Sequence, residues 1–236
     1  MVLTSLFDGR LEPLTYSIGF LRAPPERVAR AARWLYFRWP DAWRRVAVLD
    51  CGLEEALLQL QPLEGFLHPR VLVASTALNG WSAVFNGRIH GLGGRGLSVR
   101  LSRALRVPGY FVAAAPPALD PEHFPGFRQF YVLGPQTGRD HVRAVWVGEE
   151  EDVGRWHFGT DGEVQPYEDV EAYRRRRHTD RLTERMLVDY AAAVGLRPWE
   201  DSFYRPPFHL ITSLRLGRDR FQRTLAQART EMKLDE

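Results

Sequence analysis

The stretch Gln129–Gly162, Q-F-Y-V-L-G-P-Q-T-G-R-D-H-V-R-A-V-W-V-G-E-E-E-D-V-G-R-W-H-F-G-T-D-G, decides the fold class. Gln129–Leu133 is aromatic and β-branched, as a strand should be. Val142–Val147 alternates Val142, Ala144 and Trp146 with Arg143, Val145 and Val147, the period-two pattern of a second strand. After an acidic turn at Glu149–Asp152, Trp156–Phe158 resumes as strand before a turn at Thr160-Asp161-Gly162. Connections this short cannot hold a crossover helix, so these strands run antiparallel.

Working upstream, Tyr110–Ala114 is a further strand, separated from Gln129 by the Pro-rich stretch Pro116–Pro125, which reads as a surface loop. Arg70–Ala74 and Trp81–Phe85 form a hairpin across Asn79-Gly80. Ser98–Arg106 is helical, stopped at Pro108-Gly109. Nearer the start, Tyr16–Leu21 is a strand. Pro25 opens a helix to about Arg38, with Val28, Ala31, Ala32 and Leu35 at helical spacing. Arg45–Leu49 is a short apolar run and Leu53–Leu60 a helix ended by Pro62. Downstream of Gly162 the chain predicts helices over Asp169–Arg177 and Thr183–Val194, the second capped by Thr183 and closed by Gly195 and Pro198. The expected fold is α+β: a mostly antiparallel sheet with helices packed on it and a C-terminal helical segment. Residues 1–214 read as one domain, leaving open whether 1–65 form an N-terminal lobe. Residues 215–236 read as a polar tail or loosely attached helix.

Composition sets the class. The chain has 236 residues, 44% hydrophobic and 26% charged, ordinary for a globular domain. No apolar run approaches the roughly 20 residues of a membrane helix, and the N-terminus lacks the charged and apolar regions of a signal peptide. The expectation is a cytoplasmic protein with no membrane association. Cys51 is the only cysteine, so an intramolecular disulfide and a cysteine zinc site are both excluded, and a buried small hydrophobe is expected. Lys233 is the only lysine. A net charge of +3 is slight for an electrostatic nucleic-acid binder.

No catalytic constellation assembles from the motifs. The seven histidines are never closer than 16 residues, so no local metal-ligand pair exists and no metal or other cofactor is expected. There is no G-x-S-x-G elbow. Gly91-Leu92-Gly93-Gly94-Arg95-Gly96 matches G-x-G-x-x-G, but the preceding N-G-R-I-H reads as loop and no acid follows about 20 residues on. A flexible connecting loop is the plainer reading, with phosphate binding the alternative. Glu168, Asp169 and Glu171 suit a helix N-terminus. Arg174–Arg177 suits a solvated helix with Glu171 pairing Arg175. Arg27, Arg30, Arg33, Arg38, Trp34 and Phe37 on the first helix are candidates for nucleic-acid or partner contact.

Two stretches together carry a resemblance. W-S-A-V-F-N-G (Trp81–Gly87) and W-H-F-G-T-D-G-E-V-Q-P-Y-E-D-V-E-A-Y (Trp156–Tyr173), followed by R-L-T-E-R-M-L-V-D-Y-A-A-A-V-G-L-R-P, resemble a group of uncharacterised actinobacterial-type proteins. The likeness covers residues 70–204. This chain departs from the group in lacking an Asp before Asn86 and in having Tyr167 where Phe is usual. Similar α+β proteins include immunity proteins of bacterial toxin systems. The resemblance itself implies little biochemistry. The lack of a catalytic motif and the many Trp, Tyr and Arg residues, types enriched at interfaces, lead to the expectation of a non-enzymatic cytoplasmic binding protein. Its expected form is an immunity protein that inhibits a bacterial toxin. The alternatives are an enzyme acting on a small or phosphorylated substrate through the Gly-rich loop, or a nucleic-acid-associated protein using the first helix. The expected partner contacts are Trp81, Phe85, Asn86, Arg88 and Arg95 around the hairpin and Gly-rich loop, and Asp161, Glu168 and Glu171 on an acidic face.

Overall fold

Strand-forming runs recur along most of the chain, and in the computed structural model they assemble into one large sheet. The structure describes residues 4–35, 43–65, 70–91, 93–116, 126–135, 139–149, 155–214 and 222–235. In chain order the elements are β1 (Ser17–Leu21), α1 (Pro25–Leu35), β2 (Trp43–Leu49), α2 (Leu53–Leu58), β3 (Leu63–Glu64), β4 (Val71–Thr76) and β5 (Ser82–Asn86). There follow α3 (Gly94–Leu105), β6 (Gly109–Ala115), β7 (Phe127–Leu133), β8 (Arg143–Glu149), β9 (Trp156–Gly162), α4 (Glu184–Ala193), β10 (Tyr204–Leu214), β11 (Gln222–Arg223) and α5 (Leu225–Glu231).

The main sheet has nine strands in the order β2-β10-β4-β5-β1-β6-β7-β8-β9, and every neighbouring pair is antiparallel. The α+β expectation is met. Residues 1–65 supply the fifth strand of this order, β1, as well as the edge strand β2.

The sheet is buried on both faces, so its middle strands are continuously apolar instead of strictly alternating. On β4, Leu72 and Ala74 face a core with α2 and α4, while Val71 and Val73 face α1 and α3. Gly19 in β1 lets α3 come close, because a Cβ there would overlap the Ser98 side chain. Across β6–β8 the second face is filled by Phe111, Phe127, Tyr131 and Ala144 with Tyr16 and Met232.

Several local expectations hold. Asn79-Gly80 closes the β4–β5 hairpin, with Gly80 at φ +78°. The Thr183 side chain accepts a bond from the Met186 amide, and Gly195 takes φ +80°. Cys51, expected to be buried, is only half-buried against the core, and that burial pushes its thiol pKa up.

Others are corrected. Asp169–Arg177 forms no α-helix; the chain makes two single 3-10 turns, Ala172–Arg174 and His178–Asp180. The expected turn at Thr160-Asp161-Gly162 is instead the last part of β9. Tyr204–Leu214, not read as a strand at all, lies between β2 and β4. Its Pro206-Pro207 falls where the pairing register shifts between Arg205 and Phe208, so no ladder bond is asked of either proline. The C-terminal helix is anchored, not loose. Leu225, Ala228 and Met232 are buried, a complete capping box starts the helix at Thr224, and Arg229 donates to the carbonyls of Gly9, Arg10 and Glu12. Of the other readings, most of Pro116–Pro125 and Glu149–Asp152, and the helix end at Phe37 and Arg38, lie outside the described residues.

Candidate anion-binding cleft

Where β5 ends, Gly87–Gly93 carries the chain to α3, so G-x-G-x-x-G straddles a helix start. It is no loose connector. Gly91 at φ +61° sits against Pro13, and Ser17 Oγ donates to its carbonyl at 2.6 Å. Gly94 opens α3 in contact with Ser17, Asn86 and Phe111, too close for a Cβ. These glycines are explained by packing. Gly96 is different: a Cβ there would meet nothing within 4 Å.

Beside this helix start lies a cleft of about 410 Å³. Arg88 and Gly93 line it from the loop, Arg95, Gly96 and Arg100 from α3, Ser17 from β1, Phe111 and Ala113 from β6, and Phe127 and Gln129 from β7. Arg88 donates to the Gly65 carbonyl at 3.0 Å. Arg95 donates to the Tyr131 hydroxyl at 2.8 Å, its guanidinium 5.0 Å from the ring centroid. Neither meets a carboxylate among the described residues. No carboxylate or imidazole is among the described residues that line the cleft.

Tyr131 ties the cleft to Asp161. The His141 ring packs edge-on against Tyr131 at 5.4 Å, and its Nε2 lies 2.9 Å from the Asp161 carboxylate. That bond holds the Asp161 pKa below the usual carboxylate range and sets Nε2–H as donor, leaving a buried Nδ1 with no partner among the described residues. Burial raises the Tyr131 pKa, which keeps its hydroxyl protonated to accept from Arg95.

The expected acidic face does not form. Glu168 is 1% exposed at its side chain and grips Arg143 of β8, itself 3% exposed. The pair is bidentate, Nε to Oε1 at 2.8 Å and Nη2 to Oε2 at 2.6 Å, while Nη1 donates to the Gly162 carbonyl at 2.8 Å. Glu168 also accepts from the Gln165 amide at 2.9 Å and the Tyr173 hydroxyl at 2.7 Å. Since Tyr173 gives its proton to Glu168, Tyr190 must donate to Tyr173 across 3.0 Å while accepting from the Asp169 amide. Burial works to lower the Arg143 pKa, but bonding to Glu168 overcomes it and the pKa is raised. Reaching this position forces the chain after Gly162 into tight turns, which is why no helix forms over Asp169–Arg177. Arg143 was legible in principle, since it shares its strand face with Val145 and Val147. Glu171 stays exposed and pairs with Arg174 at 3.0 Å instead of Arg175.

The remaining expected contacts divide. Phe85 is 0% exposed in the core and Asn86 is buried, its amide 3.5 Å from Ser17 Oγ, so neither offers a surface. Trp81 is half-buried, stacked on Tyr110 at 5.4 Å. On the first helix Trp34 is 59% exposed, while Arg27 is spent on the Leu105 carbonyl at 3.1 Å.

A larger recess of about 630 Å³, between the N-terminal turn and the end of α4, contains Asp8, Arg197, Trp199, Glu200 and Asp201. Within it Arg197 pairs with Glu200 at 3.3 Å, and Asp201 accepts from the Phe7 amide. Among the described residues no three His, Cys, Asp or Glu side chains gather as metal ligands, and no helix is long and apolar enough to cross a membrane. Compared with family models, curated proteins and solved structures, the chain matches none.

Proposed function

We propose that this chain acts by binding, and that its recognition site is the arginine cleft, which takes an acidic group presented by a partner. One observation supports this above the others: Arg88 and Arg95 line a cleft with no carboxylate to neutralise them among the described residues. Arginine favours such sites because its fork pairs with oxyanions and is only weakly hydrated. Binding is favoured over catalysis by the lining, whose described residues supply no general acid or base. The exposed Asp161, tied to Tyr131 through His141, would lie on surrounding surface, whereas Trp81 stacks on Tyr110 on the other face of the sheet. An immunity-type role, in which the protein occupies a toxin and blocks it, is the form suggested by the resemblance of Trp81–Gly87 and Trp156–Tyr173.

The test compares wild type with the Arg95→Glu/Arg100→Glu variant in pull-downs from the native organism, with thermal melts to confirm folding. A partner retained by wild type, released by salt and lost by the variant is the expected result. A partner held equally by both would sink the cleft as recognition site.

A further inference from the structure

Resting on the reading of the cleft as the recognition site, we infer that its ligand group is a phosphate monoester on a small apolar or aromatic body. Charge comes first. Arg88 reaches the cleft from the loop after β5 and Arg95 reaches it from α3, so the two guanidiniums approach from two elements. Arg100 lines it a turn further along α3, its Nε donating to the Gly96 carbonyl at 3.2 Å. Each carries five N–H donors, and the bonds of Arg88 and Arg95 go to a neutral carbonyl and a neutral hydroxyl. A single carboxylate's charge is matched by one guanidinium fork, as Glu168 shows with Arg143, its other bonds coming from neutral donors. A phosphate monoester carries nearly two charges and three acceptor oxygens, which matches several guanidiniums arriving from different directions.

Size and walls come next. About 410 Å³ is far more than a bare oxyanion fills and lies at the small end of organic-ligand pockets. The sides away from the arginines include Phe111, Ala113 and Phe127, which suit an apolar body.

Gly96 supplies an independent indication. It lies within α3, where glycine is among the worst residues for helix stability. Its backbone needs no positive φ and no neighbour forbids a Cβ. Packing therefore gives no reason for glycine there, and Gly96 is among the residues that line the cleft.

The experiment is calorimetric titration at fixed ionic strength with phenyl phosphate as probe, and benzoate and inorganic phosphate as comparators. Phenyl phosphate should bind at least about tenfold more tightly than benzoate, and Arg95→Gln should weaken it by about tenfold, the loss of one charge-assisted contact. Gly96→Ala should also weaken binding while raising the melting temperature, a combination that general damage to the fold cannot produce. Equal affinity for benzoate overturns the inference, as does unchanged phenyl phosphate binding in both variants. If phenyl phosphate fails to bind while Arg95→Glu/Arg100→Glu still abolishes partner capture, the phosphate assignment falls and the recognition site stands. If partner capture is also unaffected, both fall.

Discussion

Two arginine sites in this molecule make opposite use of the same side chain. Arg143 lies on β8 with its guanidinium buried, and Glu168, Gly162 and Tyr173 close the network around it. Arg88 and Arg95 lie at the approach to α3 and, among the described residues, have only neutral partners. A buried charge must be matched when the chain folds, because leaving water costs several kcal/mol per ion. A charge lining a cleft can keep its water until a ligand replaces it. The first site therefore contributes to the fold, and the second is where the proposed recognition would act.

The comparison breaks most directly at Arg143. Arg143→Ala or Glu168→Ala should each destabilise by about 3–5 kcal/mol in urea titrations, since each strands a buried charge. Arg143→Met with Glu168→Leu should cost less than the two singles summed, and additivity would show that the pair does not act as a unit. Next, Tyr173→Phe removes a bond to an ionised carboxylate and should cost about 1.5–3 kcal/mol by the same measurement.

Alkaline pH probes the same cluster. Burial raises the pKa values of Tyr167, Tyr173 and Tyr190 there, and of Tyr204 elsewhere in the core. The unfolded chain loses these protons near pH 10 while the folded chain keeps them, so stability present below pH 10 falls as pH rises beyond it. Tyr173→Phe should make that fall shallower, and an unchanged slope would remove Tyr173 from the account. Smallest are the changes at the cleft. Gly96→Ala should stabilise by about 0.5–1 kcal/mol and Arg95→Gln should stay within about 0.5 kcal/mol of wild type. A large loss at Arg95 would place it with Arg143 as part of the fold.

Much of the sheet was legible because strands β4 to β8 carry local signals. Asn79-Gly80 closes a hairpin, and the alternation from Val142 to Val147 reports a strand whichever neighbours it finds. Tyr204–Leu214 was not legible, since Pro206-Pro207 argues locally against a strand and only the register shift beside β4 accommodates it. The cleft was half legible. Arg88 and Arg95 were named from the loop, but Arg100, Phe111, Phe127 and Gln129 reach it from a later helix turn and two other strands. Glu168 misled for a related reason: a carboxylate three residues from Glu171 looks like a helix start until Arg143, 25 residues earlier, claims it.

By itself, the sequence determined the α+β class, the β4–β5 hairpin, the capped helix α4 and the lack of a local catalytic motif. Each depends on residues a few positions apart, where propensity, capping and periodicity act. Tertiary structure alone decided which arginines are neutralised and which line a cleft. A charge is matched or left open by what the fold brings against it from elsewhere in the chain.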